Sequence, residues 1–234
     1  MPSSSQRELF NSATSKYAAA LQSNADALEY LKKRGLSADS VRSFSLGVVA
    51  EPLTGHEQYQ GRLSIPYLTR SGAVGMSFRC IVHEDCKPIH NDKYQWPSGL
   101  VRRIFNTPAL DVPSPFIVIC EGEMDTMTAA QAGLPAVGVP GVENWQPFFA
   151  RVFKGYDDVF ILADGDPLKK RPNCRKCKDR DFPECQGHRA GLELANKISS
   201  DVPQARTVMM PEGYDVNSYV LENSPDALRA RIGV

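Results

Sequence analysis

The sequence has 234 residues, of which 42% are hydrophobic and 23% are charged. This composition is typical of a globular protein with one domain or two closely packed ones, and it excludes both general disorder and a small disulfide-stapled scaffold. The formal net charge is zero, because 27 Lys and Arg offset 27 Asp and Glu, so contact with nucleic acid must depend on local basic patches. We see neither a secretory signal nor an unbroken apolar span and expect a cytoplasmic protein without membrane contact.

The first third of the sequence predicts helices followed by strands. The serine run at 3–5, Asn24 and Ser37 each predict a helix N-terminus, since these side chains accept hydrogen bonds from a first helical turn. We expect the helix that begins at Asn24 to bury Leu28 and Leu31 on its apolar face. Three β-like runs follow, at residues 46–49, 62–68 and 74–82.

The second half of the sequence alternates apolar strands with helices. Continuous apolar runs at 116–120 and 159–163 are typical of strands buried on both faces of a parallel sheet. We predict further helices at 125–132, 144–153 and 191–199, and further strands at 136–139 and 207–210. This alternation indicates an α/β fold, with an α+β domain at 1–112 and a parallel-sheet, Rossmann-like domain at 113–234.

Acidic residues follow three of the predicted strands. The first strand leads into Glu121-Gly-Glu-Met-Asp125, a later one into Asp164-Gly-Asp166, and the last is followed by Asp215. Because ligands bind outside the carboxyl ends of strands in open α/β sheets, we expect these acids to meet in one crevice. Clustered carboxylates predict Mg²⁺ or Mn²⁺, and the alternative is solvated loop acids or helix N-caps. The glycine after each first acid predicts a sharp backbone turn.

A cysteine-rich insertion at 167–189 is the second chemical feature of this half. Two short ligand pairs predict a zinc knuckle, and the alternative is a flexible basic loop with incidental thiols. From 166 to 189, eight basic and four acidic residues leave a local charge of +4, which predicts contact between Lys169, Lys170 or Arg171 and a phosphate backbone. The predicted zinc ligands are Cys174, Cys177, Cys185 and His188.

Three weaker patterns leave two interpretations open or favour the simpler one. A loosely spaced set of two cysteines and two histidines predicts a second metal site. The alternative is that its first member, Cys80, ends a buried strand. Trp96 stacks on a nucleic-acid base or packs half-buried against the protein. Cys120 lies within a predicted strand and is expected to be core. The loosely spaced set consists of Cys80, His83, Cys86 and His90.

The acidic motifs resemble those of the Toprim domain, the metal-binding core shared by DnaG-type primases, topoisomerases and some nucleases. Segments of the first half resemble, in the right order, the catalytic core of DnaG-type bacterial and phage primases. We expect no counterpart of the zinc module and the helicase-binding domain that flank this core in the family, and Asn217 stands where many relatives carry Asp. The resembling segments are 27–36, 44–47, 62–66, 75–79, 93–98 and 103–106.

The resemblance implies a primase that synthesises short RNA primers on a single-stranded DNA template from NTPs. It implies that Asp164, Asp166 and Asp215 hold Mg²⁺ or Mn²⁺, that Glu121 is a further ligand or the general base, and that Asp125 orients its loop. The implied partner is a replicative helicase or a separate protein that carries the missing modules. If the protein is phage-encoded, its expected location is the host cytoplasm.

The resemblance also implies that Arg62, Arg79 and Lys93 contact template or nucleotide phosphates, and the alternative is ordinary solvation at the surface. Two further functions stay open. One is a Toprim nuclease that uses the same metals to hydrolyse a phosphodiester, and the other is a non-catalytic DNA-binding adaptor in recombination or replication. A topoisomerase is not expected, because the sequence has no room for the domains that carry its tyrosine.

Overall fold

The computed structural model describes residues 2–83, 93–139, 141–167 and 189–234. The chain forms two compact units, Met1–Pro108 and Ala109–Val234. Most of the predicted zinc insertion lies outside the described residues. This applies to Lys169, Lys170, Arg171, Cys174, Cys177, Cys185 and His188, and also to Cys86 and His90.

Three helices begin the first unit: α1 (Ser4–Leu21), α2 (Ala25–Lys33) and α3 (Ala38–Ser43). The side chains of Ser3, Asn24 and Ser37 accept hydrogen bonds from the first turns of these helices, which confirms the three predicted N-termini. Leu31 is buried as predicted, but Leu28 is 38% exposed. The prediction for Leu28 is wrong because α2 buries only one residue per turn.

A four-stranded antiparallel sheet completes the first unit, in the order β1-β2-β3-β4. Its strands are β1 (Gly47–Val48), β2 (Leu63–Thr69), β3 (Gly72–Arg79) and β4 (Tyr94–Gln95). Met76 and Phe78 of β3 lie in a core with Phe10 and Tyr17 of α1. Because side chains alternate along a strand, Arg79 lies on the opposite face of the sheet, where it is paired in register with Tyr94.

The second unit contains a parallel sheet in the order β6-β5-β7-β8. Its elements, in chain order, are β5 (Phe116–Cys120), α4 (Glu123–Gln131), β6 (Ala136–Gly138), β7 (Asp158–Ala163), α5 (Ala190–Asp201), β8 (Ala205–Met209), α6 (Val216–Glu222) and α7 (Pro225–Ile232). The predicted fold class, with an antiparallel α+β unit followed by a parallel sheet, is confirmed. Within the described ranges, no helix is both long enough and apolar enough to cross a membrane.

The helix predicted at 144–153 is wrong. Two 3₁₀ segments, Val142–Asn144 and Pro147–Phe153, occupy this region instead. Gln146 between them is extended, with φ −122° and ψ 132°, because the ring of the proline that follows disfavours the helical conformation there. The other predicted strands and helices of the second unit are present, with bounds that differ by three residues or fewer.

Both described cysteines are buried. Cys80 directly follows β3, which confirms the buried strand end predicted for it, and its Sγ lies 3.5 Å from Nδ1 of His83. Cys120 is 1% exposed and packs in the core between the sheet and helices α4 and α7, also as predicted. Burial raises the pKa of the Cys120 thiol well above its usual value.

Candidate active site

The carboxyl ends of β5 and β7 flank a topological switch point of the parallel sheet. The chain leaves β5 to form β6 on one side of it and returns to form β7 on its other side. The connections therefore diverge between these two strands, which opens a crevice at their carboxyl ends. Glu121 directly follows β5 and Asp164 directly follows β7. The sheet thus brings two of the predicted acids to opposite sides of one crevice.

Glu121 and Asp164 are joined by a hydrogen bond. The backbone N–H of Asp164 donates to Oε1 of Glu121 at 3.0 Å. Burial raises the pKa of Glu121 from 4.5 to about 7, the hydrogen bond from Asp164 opposes this shift, and the charges of Asp166 and Asp125 add to it. A buried carboxylate that is surrounded by other acids is costly to keep ionised without a nearby cation.

Asp164 is the most strongly perturbed carboxyl of the crevice. Burial raises its pKa well above the usual range of an aspartate, and the charges of Asp125, Glu121, Asp215 and Asp166 raise it further. Its Oδ1 is buried, and no described residue donates a hydrogen bond to it. Such an oxygen requires a proton or a cation, because an unpaired buried charge is expensive.

The donor set around Asp164 fits a hard divalent cation. Four carboxylates that follow the strands, one of them in the first turn of α4, lie close enough to raise its pKa. Carboxylate oxygens are the ligands that Mg²⁺ and Mn²⁺ prefer. In the described part of the chain, no three His, Cys, Asp or Glu side chains are already arranged as a metal-binding group. The fit therefore rests on the unpaired Oδ1 of Asp164 and on the charges around it.

Gly165 allows the loop after β7 to approach the loop after β8. Its N–H donates to the carbonyl of Tyr214, and its own carbonyl accepts from the N–H of Gly213, both at 2.8 Å. A Cβ at Gly165 would stand 1.9 Å from the carbonyl oxygen of Pro211. Neither Gly165 nor Gly122 has a positive φ. Glycine is required after Asp164 because two backbones pack closely there, and not because the chain makes a left-handed turn.

Asp215 is the N-cap of α6. Its Oδ1 accepts hydrogen bonds from the N–H and the Oγ–H of Ser218, both at 2.6 Å, and its own N–H donates to Oγ of Ser218 at 3.0 Å. One alternative from the sequence was that these acids are helix N-caps, and Asp215 is one. Its charge nevertheless contributes to the raised pKa of Asp164.

Asn217 ties α6 to the first turn of α4. Its N–H donates to Oδ1 of Asp125 at 3.0 Å, and its Nδ2 donates to Oγ1 of Thr128 at 2.8 Å. Asn217 is 1% exposed and Asp125 is 8% exposed, so this contact is well shielded from water. The sequence analysis missed Thr128, although its position three residues after Asp125 places both on one helix face.

Two of the three basic residues predicted in the first unit are buried. Arg62 is 7% exposed and Arg79 is 4% exposed, so the alternative of surface solvation is wrong for both. The guanidinium of Arg79 hydrogen-bonds the hydroxyl of Tyr94 and lies 4.7 Å from the centre of its ring. It also lies 5.7 Å from the ring of Tyr30, a residue of α2 that the sequence analysis missed. Lys93 is exposed.

Trp96 packs against the protein, which confirms one of its two interpretations. Its ring meets the ring of Tyr67 edge to face at 4.7 Å, and its Nε1–H donates to the carbonyl of Leu100 at 3.0 Å. The guanidinium of Arg102 lies 5.0 Å from the centre of the ring. The indole is therefore half-buried between an aromatic ring and a cation.

Known proteins resemble this chain both in sequence and in fold. No family model matches the sequence. The chain is 38% identical over 177 residues to the Gene 57 protein of Mycobacterium phage D29, which covers 74% of this chain and 99% of that protein. It is 26% identical over 266 aligned positions to a DNA primase of Pseudomonas putida, which covers 96% of this chain and 37% of that enzyme. The chain thus spans little more than a third of the primases that it matches.

The solved structures that resemble this chain include the RNA polymerase domain of Mycobacterium tuberculosis primase DnaG. Its TM-score is 0.70 at 23% identity, and the match covers 99% of this chain and 84% of that one. The same domain in complex with a double-stranded DNA oligomer with a 6-nucleotide overhang has a TM-score of 0.69. The chain has the fold of a DnaG primase catalytic core and belongs to the family of the Gene 57 protein of Mycobacterium phage D29.

Proposed function

We propose that this chain is the catalytic core of a DNA primase, which synthesises short RNA primers on single-stranded DNA from NTPs. The observation that carries the proposal is the buried, unpaired Oδ1 of Asp164, a residue whose backbone N–H holds Glu121, at the switch point of a fold shared with DnaG cores. The proposed partner is a replicative helicase or a separate module-bearing protein, and the chain spans 37% of the length of the P. putida primase that it matches.

The acidic crevice is the proposed catalytic centre, with Glu121, Asp164, Asp166 and Asp215 as ligands of Mg²⁺ or Mn²⁺. Such ions, when bound, stabilise the charge on the attacking hydroxyl and on the leaving pyrophosphate during in-line phosphoryl transfer. The chain's own residues orient this set. The Asp164 N–H fixes Glu121, Ser218 fixes one oxygen of Asp215, and Asn217 fixes Asp125.

The test is incubation with single-stranded DNA, NTPs and Mg²⁺ or Mn²⁺, with RNA products and DNA cleavage scored in the same reaction. We expect short RNA that requires both template and NTPs, and intact DNA. Asp158→Asn is a matched control, because this aspartate lies at the opposite end of β7 in a surface pair with Arg206. DNA cleavage without RNA synthesis would support a Toprim nuclease, and DNA binding with neither activity would support an adaptor.

The insertion is proposed to hold zinc, and elemental analysis tests this. Three cysteines and one histidine complete one tetrahedral shell, so the purified protein should contain about one Zn²⁺ per chain. Cys174→Ser together with Cys177→Ser should remove it, whereas Cys120→Ala should retain it because that thiol is buried in β5. Freshly purified, chelator-free protein without zinc would contradict the proposal.

The basic residues of the insertion are proposed to contact the DNA backbone. Replacing Lys169, Lys170 and Arg171 together by Gln should weaken binding to single-stranded DNA. Each lost phosphate contact reduces the slope of log K against log salt by about 0.7, so a total change of about 2 is expected. Titration at several salt concentrations measures this slope.

A matched control removes three exposed cations from helices of the first unit: Lys32, Lys33 and Arg42. We expect this control to bind DNA with the wild-type slope. An unchanged slope in the variant of the insertion would show that those residues do not contact phosphate, and the remaining electrostatic contact would then fall to Lys93.

A further inference from the structure

Arg79 is a buried cation on the face of the first sheet opposite the α1 core. It is 4% exposed, so almost none of its guanidinium is open to a phosphate in solvent. Instead the guanidinium lies between two aromatic rings, Tyr94 at 4.7 Å and Tyr30 at 5.7 Å, and hydrogen-bonds the hydroxyl of Tyr94. Cation–π contacts of this kind are stronger when the cation is desolvated, which compensates for burial of the charge.

Arg62 contacts the backbone of Lys93, the residue before Tyr94. Its Nη1 donates to the carbonyl oxygen of Lys93 at 3.4 Å, and the same oxygen accepts from the N–H of Cys80 at 2.8 Å. Arg62 is 7% exposed, whereas the Lys93 side chain is exposed. The two buried arginines therefore contact the backbone of Lys93 and the side chain of Tyr94.

Strand β4 needs such support because it is very short. It has two residues, and it pairs with β3 only through Phe78 with Gln95 and Arg79 with Tyr94. A two-residue edge strand has few ladder hydrogen bonds to fix the position of the residues that precede it. The contacts from Arg62 and Arg79 help to fix the position of the backbone at Lys93 and Tyr94, where the chain enters β4.

We propose that Arg62 and Arg79 are positioning residues that hold Tyr94 of β4 and the preceding residue, Lys93. Tyr30 fixes Arg79, and Lys93 alone among the three cations contacts phosphate. This inference rests on the proposed function, since it assumes that the first unit binds single-stranded nucleic acid. It assigns to Tyr30 on α2 a role in binding although Tyr30 itself does not touch the ligand.

Salt dependence of binding to a single-stranded DNA oligonucleotide separates a positioning residue from a phosphate contact. Lys93→Gln should reduce the slope of log K against log salt by about 0.7, the value for one contact on a single strand. Arg79→Gln should weaken binding about tenfold, as expected when a hydrogen bond to a charged group is lost, but should leave the slope unchanged. Arg42→Gln, which removes an exposed cation of the same unit, is the control for net charge.

Tyr30 provides a test that does not depend on removing a buried charge. Its hydroxyl is buried and has no hydrogen-bond partner among the described residues, so the ring rather than the hydroxyl should matter. Tyr30→Phe should therefore bind DNA as the wild type does, whereas Tyr30→Leu should weaken binding to the level of Arg79→Gln at an unchanged slope. The Tyr30→Leu, Arg79→Gln double variant should be no weaker than Arg79→Gln alone, because both changes release the same group.

The results that would overturn the inference differ from those that would overturn the proposed function. A slope reduced by about 0.7 in Arg79→Gln would show that this arginine itself contacts phosphate. Wild-type affinity in Tyr30→Leu would show that the ring contact to Arg79 does not support the binding surface, and wild-type affinity in Tyr94→Phe would show that the hydrogen bond from Arg79 does not. Each of these results would leave the proposed function standing, whereas absence of salt-dependent DNA binding by the unmodified protein would overturn both.

Discussion

Replacing Asp164 by Asn should abolish RNA synthesis and, at pH 8, should make the metal-free protein more stable than the wild type. The loss of activity should exceed the roughly 100-fold that removal of a group supporting a metal ligand costs, because here the proposed ligand itself is lost. The gain in stability follows from the same burial and crowding of charge that make Asp164 suitable as a ligand.

The direction of the pH effect follows from the raised pKa of Asp164. Between its unfolded pKa of 3.8 and its higher folded pKa, the folded protein holds a proton that the unfolded chain releases. The contribution of this group to the free energy of unfolding therefore decreases as pH rises through that range, by at most about 1.4 kcal/mol per pH unit. Glu121, with a pKa raised to about 7, acts in the same direction. An Asn at 164 carries no charge at any pH and does not incur this cost.

Thermal unfolding in EDTA at pH 5 and pH 8 measures the stability difference, which should be larger at pH 8. Asp158→Asn, at the amino end of the same strand, should change neither activity nor the pH dependence by a comparable amount. Folded Asp164→Asn protein that still makes primers at a near wild-type rate would remove Asp164 from the mechanism. Equal stability of the variant and the wild type at pH 8 would show that its carboxyl is not destabilised by burial.

The strands that carry these acids could be predicted from the sequence because their signal is local. A strand buried on both faces must be apolar throughout, and β5 was predicted with the bounds that the structure has, Phe116–Cys120. The parallel sheet then brings the residues after β5 and β7 together without further information. This is why Glu121 and Asp164 could be expected in one crevice.

Contacts between distant segments could not be predicted in this way. Asn217 contacts Asp125 across 92 positions of the sequence, and no local pattern connects them. The alternation of β3 places Arg79 opposite the α1 core, on a face that a sequence alone presents as open to solvent. Its guanidinium lies between Tyr94 and Tyr30 of α2, and Tyr30 precedes it by almost fifty residues. The N-cap role of Asp215 did have a local signal, since Ser218 follows it by three positions.

A single methyl group at Gly191 should destabilise the acidic crevice. Gly191 lies in the first turn of α5, and a Cβ there would stand 2.1 Å from Oε1 of Glu121 and 2.7 Å from the backbone nitrogen of Asp164. The Glu121 side chain can move away, but the Asp164 backbone is part of the loop that leaves β7 and cannot move without shifting the carboxylate. Gly191→Ala should therefore break the hydrogen bond between Glu121 and the Asp164 N–H, at a cost of about 1–3 kcal/mol for overpacking.

A loss of stability in Gly191→Ala would be informative, because helix propensity alone predicts that alanine stabilises a helix relative to glycine. Alanine stabilises a helix interior by about 0.8–1.0 kcal/mol relative to glycine. Gly155→Ala is the matched control, since no atom lies within 4 Å of a Cβ at that position and its φ is not positive. Thermal unfolding and RNA synthesis should both be impaired in Gly191→Ala and unchanged in Gly155→Ala. If Gly191→Ala were as stable and active as the control, α5 would not be packed against Glu121 and Asp164, and Glu121 would not need the Asp164 N–H to keep its orientation.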